Sequence, residues 1–321
     1  MMQTMQFRAM NTDILLAAEG GGAVEGMQTV KTFIDDCEQR FSRFLPESEL
    51  SRLNRSAGEW VHVSNDLLEM LRISINYYFE TKGIFDPSIL TDLKWIGYVR
   101  SMDEIRAGGA TLPPLTSKRG HRPAFHEMTF HPADNRVRLP RNMEVDLGGI
   151  AKGWIVEKAA YLLNTYSSAC GVSAGGDMFV IGHPSDGMHW EVALEDPSDP
   201  TRTLRQLRVS SGAVTTSSVM KRTWRQGEEA RHHLIDPRTG ESARTDWLSV
   251  TVISPDIITA EVYAKAILIG GEGELKNLLE ARPDLTFIAV DPDGNLLGTP
   301  NYKDFTYEST TDALSSIGIA D

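Results

Sequence analysis

The chain has 321 residues, 41% of them hydrophobic and 8% aromatic, enough to bury a sizeable core. A formal net charge of −12 argues against general nucleic-acid binding, so any anionic ligand has to be met by positive charge gathered locally. No segment approaches the roughly 20 apolar residues of a membrane span and the N-terminus has no basic region followed by an apolar run, which together lead to the expectation of a cytoplasmic protein.

In chain order, the pattern predicts an opening strand over residues 7–17 and helices near 24–43 and 64–81, the second capped by Ser64. Residues 101–121, charged and glycine-rich, read as an exposed surface insertion. Cys37 and Cys170 have no CxxC partner and no metal-ligand spacing, and are expected to be buried thiols in a reducing compartment. From Met128 strands dominate, interrupted by a helix after Gly149 and by helices over 256–269 and 272–281; residues 285–290 form a further strand ending in a turn at 292–294. The mixture predicts an α+β class, one domain over 1–321 built from two intertwined lobes with mixed sheets and flanking helices.

Four segments bear on chemistry. At 146–153, DLGGIAKG follows a strand-like MEV and precedes a helical pattern; such a glycine turn can offer backbone N–H groups and Lys152 to an anion, or can serve only tight strand-to-helix packing. It is neither a Walker loop nor a GxGxxG fingerprint. At 173–177, SAGGD allows close approach of a ligand or a second backbone and aims Asp177 at the same place. After a strand expected over 209–216 and a basic stretch, KRTWR at 221–225 with Arg231 and Arg238, comes HHLIDPRTG at 232–240. In that segment Asp236 favours an Asx turn, Pro237 fixes φ and Gly240 supplies a positive φ beside two histidines, although an ordinary β-turn explains it locally. In AEVYAKA, 260–266, Glu261 and Lys265 share a helix face. The ordinary reading is a surface pair, but the apolar surroundings favour a partly buried one facing a polar site.

Together with FRAMNTDILL at 7–16, RFSRFLPESELSRLN at 40–54 and GIFDPSIL at 83–90, these segments resemble, in order, the ApbE family of FAD:protein FMN transferases. The resemblance implies FAD as substrate, transfer of its FMN half to a threonine hydroxyl of an acceptor protein, release of AMP, and a ligand cleft between the two lobes. It places Met10 and Phe44 against the ligand, with Asn11 where the family has glycine. Ile84, Phe85 and Asp86 line the FAD cleft, Asp146 and Lys152 contact FAD, and Leu234 touches it through its backbone. His233 matches the motif histidine.

Granted FAD, a threonine hydroxyl needs a base, and neutral His233 is the natural candidate, oriented by Asp236; Lys152, Arg238 and the turn amides supply positive charge. Asp177 completes the expected ligand-binding set. For magnesium, the resemblance implies Gly149 through its carbonyl, and an aspartate and a threonine where this chain has Glu261 and Lys265. Lysine cannot ligate a cation. Either a cation binds weakly through Glu261, Gly149 and other oxygens, or the Lys265 ammonium takes its place; electrostatics favour the second. A further departure is Ser218, where the family has glycine. An FAD-binding protein without transfer, or an FAD pyrophosphatase using water, are the alternatives.

Overall fold

The computed structural model describes residues 1–112, 120–306 and the backbone of 315–316. The chain divides into two compact units, each assembled from separated stretches: Met1–Ile34, Lys152–Met220 and Thr245–Asp321 in the first, Asp35–Ala151 and Lys221–Arg244 in the second.

The first unit is organised by a sheet that has nine strands among the described residues, in the order Met2–Ala9, Thr12–Glu19, Cys170–Ala174, Asp177–Ile181, Gly212–Ser218, Ser249–Ser254, Thr286–Val290, Leu296–Gly298 and Ser315–Ser316. Every neighbouring pair is antiparallel except the last. Period-two alternation puts Val214, Ile253 and Ile288 on one face, where they share a core with Leu194, Leu207 and Val209 of the Trp190–Glu195/Thr203–Val209 hairpin. The Ile257–Ala281 helix packs on the Gly212–Ser218 and Ser249–Ser254 strands.

Three strand expectations shift by understandable amounts. The opening strand of 7–17 is a hairpin, because Met10 and Asn11 both take positive φ (54° and 56°), the conformation of a two-residue type I′ turn. Asparagine tolerates that region, so losing the expected glycine costs little there. The strand expected over 209–216 is split at Gly212, whose φ of 122° starts a new one. The strand-like 143–145 makes only an isolated bridge between Glu144 and Ile89. The two late helices behave as expected: the apolar run is broken at Gly271 (φ 63°, ψ −168°), where a Cβ would lie 2.8 Å from an Asp246 carboxylate oxygen.

The second unit carries the helices Glu49–Arg55, Asn65–Glu80, Leu90–Trp95 and Met102–Ala107 together with short two- and three-stranded sheets. Ser64 caps its helix as expected, its Oγ accepting from Leu67 N at 3.2 Å, an arrangement worth about 1 kcal/mol. The stretch 101–121 is not simply an exposed insertion. Ser101 and Glu104 form a capping box, and Met102 and Ile105 are buried with Leu93, Ile96, Tyr98, Trp224 and Ile235, so apolar spacing outweighs the surrounding charge. Residues 113–119 of that stretch lie outside the described residues. Cys37 and Cys170 are free and buried. Among the described residues no helix is long and apolar enough to cross a membrane.

Candidate functional site

The first unit gathers Lys152, Asp177, Glu261 and Lys265 into one network. The hairpin turn at Gly175–Gly176, both with positive φ, delivers Asp177 as the first residue of its strand; its Oδ1 accepts from Thr216 N at 3.1 Å and its Oδ2 pairs with Lys152 Nζ. Lys152 Nζ also donates to Glu261 Oε1 at 2.9 Å, and Lys265 Nζ donates to that same oxygen at 3.0 Å. Glu261 Oε2 accepts from Gly153 N at 2.7 Å. Glu261 is fully buried and Asp177 is 4% exposed, while the two lysine side chains keep 16% and 13% exposure.

Glu261 and Lys265 are therefore no surface pair. Burial alone would push the Glu261 carboxyl up, but the two ammonium groups and the Gly153 N–H outweigh it and hold the carboxyl below its ordinary range. Burial pushes the Lys265 ammonium down, opposed by Glu261. A carboxylate on an N–H of the first turn of the Ala151–Asn164 helix is also favoured by the helix dipole. Gly153 is required for this approach, since a Cβ there would meet Glu261 Oε2 at 2.8 Å and the Ile257 carbonyl oxygen at 3.3 Å. Glycine spacing in DLGGIAKG carried that signal, although the partner carboxylate 108 residues away did not show in it.

The anion expected at the glycine turn is met in large part by the protein's own carboxylates and carbonyls. Gly148 N donates to Asp146 Oδ1 at 2.7 Å, Ile150 and Ala151 N donate to the Leu147 carbonyl at 3.0 and 2.7 Å, and Gly153 N goes to Glu261. The picture of a turn holding its amides open for phosphate is thus corrected at four of its N–H groups. Gly149 sits half-buried within this turn.

In the second unit, Asp146 Oδ2 pairs with Arg43 Nε at 2.6 Å, with the two side chains 12% and 7% exposed. The Arg43 guanidinium lies over the rings of both Phe44 (4.1 Å) and Tyr98 (4.6 Å), which meet each other edge to face at 5.9 Å, and it donates through Nη1 to the Tyr98 carbonyl at 3.0 Å. Phe44 is thereby part of an arginine–aromatic stack rather than a lone aromatic. Arg43 was not among the expected site residues; its position between Phe41 and Phe44 in RFSRF is the signal that marks it.

Ile84, Phe85 and Asp86 are all buried. Phe85 meets Tyr77 edge to face at 6.5 Å. Asp86 accepts from Ser88 N at 2.8 Å and Ser88 Oγ at 2.6 Å, and pairs with Arg122 Nη1 at 2.6 Å; Arg122 Nε also reaches Asp92 at 3.0 Å. Arg122, likewise missed, is 8% exposed at its side chain and anchors this acidic pair.

The HHLIDPRTG segment turns as expected. Arg238 N donates to Asp236 Oδ1 at 2.9 Å and Gly240 has φ 74°. Arg238 forks onto the Asp236 carboxylate at 2.9 and 3.0 Å, because a residue two positions on in the same tight turn reaches it directly. His233 lies in a bend after the Glu229–His232 strand and is followed by buried Leu234, whose carbonyl accepts from Ala243 N at 2.9 Å. His232 donates from Nε2 to the Ala243 carbonyl at 3.0 Å. Burial first, and Arg231 second, lower its pKa against the pull of that hydrogen bond. The basic stretch is also less solvated than its composition suggests. Trp224 is buried, stacks on Tyr98 at 5.3 Å and donates to the Ile96 carbonyl, and Arg231 is 7% exposed between Glu229 and Glu241. Met10 lies at the tip of the first hairpin.

The ApbE family model matches residues 9–289. The FAD:protein FMN transferase of Vibrio cholerae is 28% identical over 290 residues, 87% of this chain and 85% of its own length, and that of Treponema pallidum is 28% identical over 291 residues, covering 86% and 79%. Among solved structures, the ApbE protein of Thermotoga maritima superimposes with a TM-score of 0.83 at 23% identity, covering 96% of this chain and all of that one. The flavin transferase ApbE of Vibrio cholerae gives 0.77 at 22%, covering 95% and 99%, so the fold is shared as well as the sequence pattern. The chain belongs to the ApbE family.

Proposed function

We propose that this protein is an FAD:protein FMN transferase that moves FMN from FAD to a threonine hydroxyl of an acceptor protein and releases AMP. The observation that carries the reading is the convergence of Lys152, Asp177 and Glu261, drawn from three separate sequence segments, at the first turn of the Ala151–Asn164 helix. A pyrophosphate is recognised by fixed positive charge, and Lys152 is held by two carboxylates in one orientation, which limits its loss of freedom on binding. Family relatives that carry the transferase name supply the reaction.

In this reading the threonine oxygen attacks the FMN phosphorus and the bond to the AMP phosphate oxygen breaks, so AMP departs as the leaving group. His233 accepts the hydroxyl proton. Lys152 steadies the charge growing on the phosphoryl oxygens, and the Asp146–Arg43 pair with Phe44 holds the flavin or adenine end. Met10, the 84–86 segment and Leu234 complete the binding set, whereas Asp236 and Arg238 act as a pair that stiffens the turn after His233.

The residues do not fit a divalent cation. Both Glu261 oxygens already accept from N–H donors, two of them ammonium groups, and among the described residues no set of three His, Cys, Asp or Glu side chains gathers to hold a metal. That same feature favours FAD binding without transfer as the second reading. Two free buried thiols agree with a reducing compartment such as the cytoplasm.

The test is incubation with FAD and soluble extract of the native host, with in-gel flavin fluorescence and identification of the modified residue. FMN on a protein threonine with stoichiometric AMP supports the proposal; bound FAD without product supports the second reading, and free FMN plus AMP marks a pyrophosphatase. FAD should bind more tightly than FMN, and Asp146→Ala and Lys152→Ala should each weaken it.

A further inference from the structure

We propose that the Lys265 ammonium occupies the position of a divalent cation on Glu261, so that this protein carries its fixed positive charge covalently and needs no metal. The inference rests on the transferase reading for its catalytic meaning, but its structural content stands on the first unit alone. Glu261 Oε1 receives two ammonium groups, Lys152 at 2.9 Å and Lys265 at 3.0 Å. Oε2 is taken by Gly153 N at 2.7 Å. Magnesium would have to reach one of these oxygens at about 2.0–2.1 Å in near-octahedral geometry, and would then stand next to two positive charges.

The charge count agrees. Lys152 and Lys265 balance Asp177 and Glu261, so the buried network is already neutral and offers no excess negative charge for a cation. Lys265 directs its contacts at Glu261 Oε1 and, more weakly, at the Glu261 carbonyl at 3.4 Å. An ammonium has three donors, and its side chain remains 13% exposed, so an anionic oxygen of a ligand can be met there. Lysine four residues after the glutamate on one helix reaches its carboxylate at 3.0 Å, which makes the replacement self-contained.

The experiment uses Mn²⁺ as the spectroscopic probe of the position. The free-ion electron paramagnetic resonance signal is followed during titration of the wild-type chain, Lys265→Thr and Glu261→Gln, in parallel with FAD titrations with and without chelator. The expected result is no Mn²⁺ binding by the wild type at micromolar metal and FAD affinity unmoved by chelator. Lys265→Thr should bind Mn²⁺, and its transfer should fall by about 10² to 10³ in chelator and recover with magnesium, the usual range for removing one group that stabilises developing charge. Micromolar Mn²⁺ binding by the wild type that is lost in Glu261→Gln would overturn the inference, as would FAD binding that collapses on chelation. If Lys265→Thr does not fold, the wild-type titrations alone decide. If the wild type binds no FAD at all, the transferase reading fails, while the Mn²⁺ titration still decides the occupancy of Glu261.

Discussion

Replacing Gly153 with alanine sets two effects of opposite sign against each other. Inside a helix the change normally stabilises, by about 0.5–1 kcal/mol, because glycine loses more backbone freedom on folding. Here the new Cβ would lie 2.8 Å from Glu261 Oε2 and 3.3 Å from the Ile257 carbonyl oxygen. The carboxylate cannot simply retreat, since Gly153 N, Lys152 and Lys265 hold it. Forcing it aside weakens a charge-assisted hydrogen bond worth about 1.5–3 kcal/mol and adds overpacking strain of about 1–3 kcal/mol. The unfavourable terms win, and net destabilisation should be on the order of 2–4 kcal/mol. Urea unfolding with an unchanged slope measures it. Shortening the opposing side chain should relieve the clash, so Gly153→Ala with Glu261→Asp should be less damaged than the sum of the two single changes. A neutral or stabilising Gly153→Ala would refute the close approach of the two helices and with it the geometry of the network.

His233→Ala should lower FMN transfer by about 10² to 10⁴ with FAD affinity nearly unchanged, because a general base acts in the transition state. His232→Ala should be mild in transfer, and rates with FAD titrations on both variants check the ranking. His232 has its folded pKa below the ordinary histidine value of about 6.5, so the unfolded state binds its proton more readily. The stability tied to it is complete above that ordinary value and is lost as pH falls through it towards the lower folded pKa; His232→Gln, which keeps a donor for the Ala243 carbonyl, should flatten this part of a denaturation-against-pH curve. Burial pushes the Cys37 thiol up to about 12 and the Cys170 thiol to about 11, so neither should be alkylated by iodoacetamide at neutral pH in the native state. Mass spectrometry of the native and urea-unfolded protein reads that difference.

Much of the fold was legible because local rules and global packing agree. Ser64 precedes a helical pattern and caps it; Gly271 interrupts an apolar run and ends one helix before another begins. Where the reading slipped, backbone conformation was the reason. Met10 and Asn11 turn a single expected strand into a hairpin without any glycine, and Met102 and Ile105 are drawn into a core that the charged residues around them disguise. The candidate site was legible as residue types but not as partnerships. Lys152 was expected at the ligand and Glu261 at the cation position beside Lys265, yet the pairing of Lys152 with Glu261 across 109 positions is a tertiary fact. Asp146 was expected to face FAD, but Arg43, which holds it, belongs to a segment noted only for its aromatics. Asp236 was read as a partner for His233, and the fork that Arg238, two residues away, makes onto the same carboxylate was not anticipated.

A buried quartet of charges is an uncertain source of stability, because desolvation can cancel the attraction, yet removing one member leaves the others uncompensated. The two single changes at its centre should therefore differ. Glu261→Gln keeps an acceptor for Gly153 N but leaves Lys152 with Asp177 alone and takes from Lys265 the carboxylate it donates to, and should cost about 3–5 kcal/mol, the range for breaking a buried pair. Lys265→Met leaves Glu261 still paired with Lys152 and bonded to Gly153 N, so its cost should be nearer 1–3 kcal/mol, the price of one charge-assisted bond. In the double variant the excess positive charge created by Glu261→Gln is itself removed, and the combined cost should fall short of the sum by about 0.5–3 kcal/mol. Urea unfolding of the four proteins at neutral pH closes the cycle. Strict additivity would mean that Lys265 and Glu261 do not sense each other across 3.0 Å, and the network would then be two independent pairs rather than one.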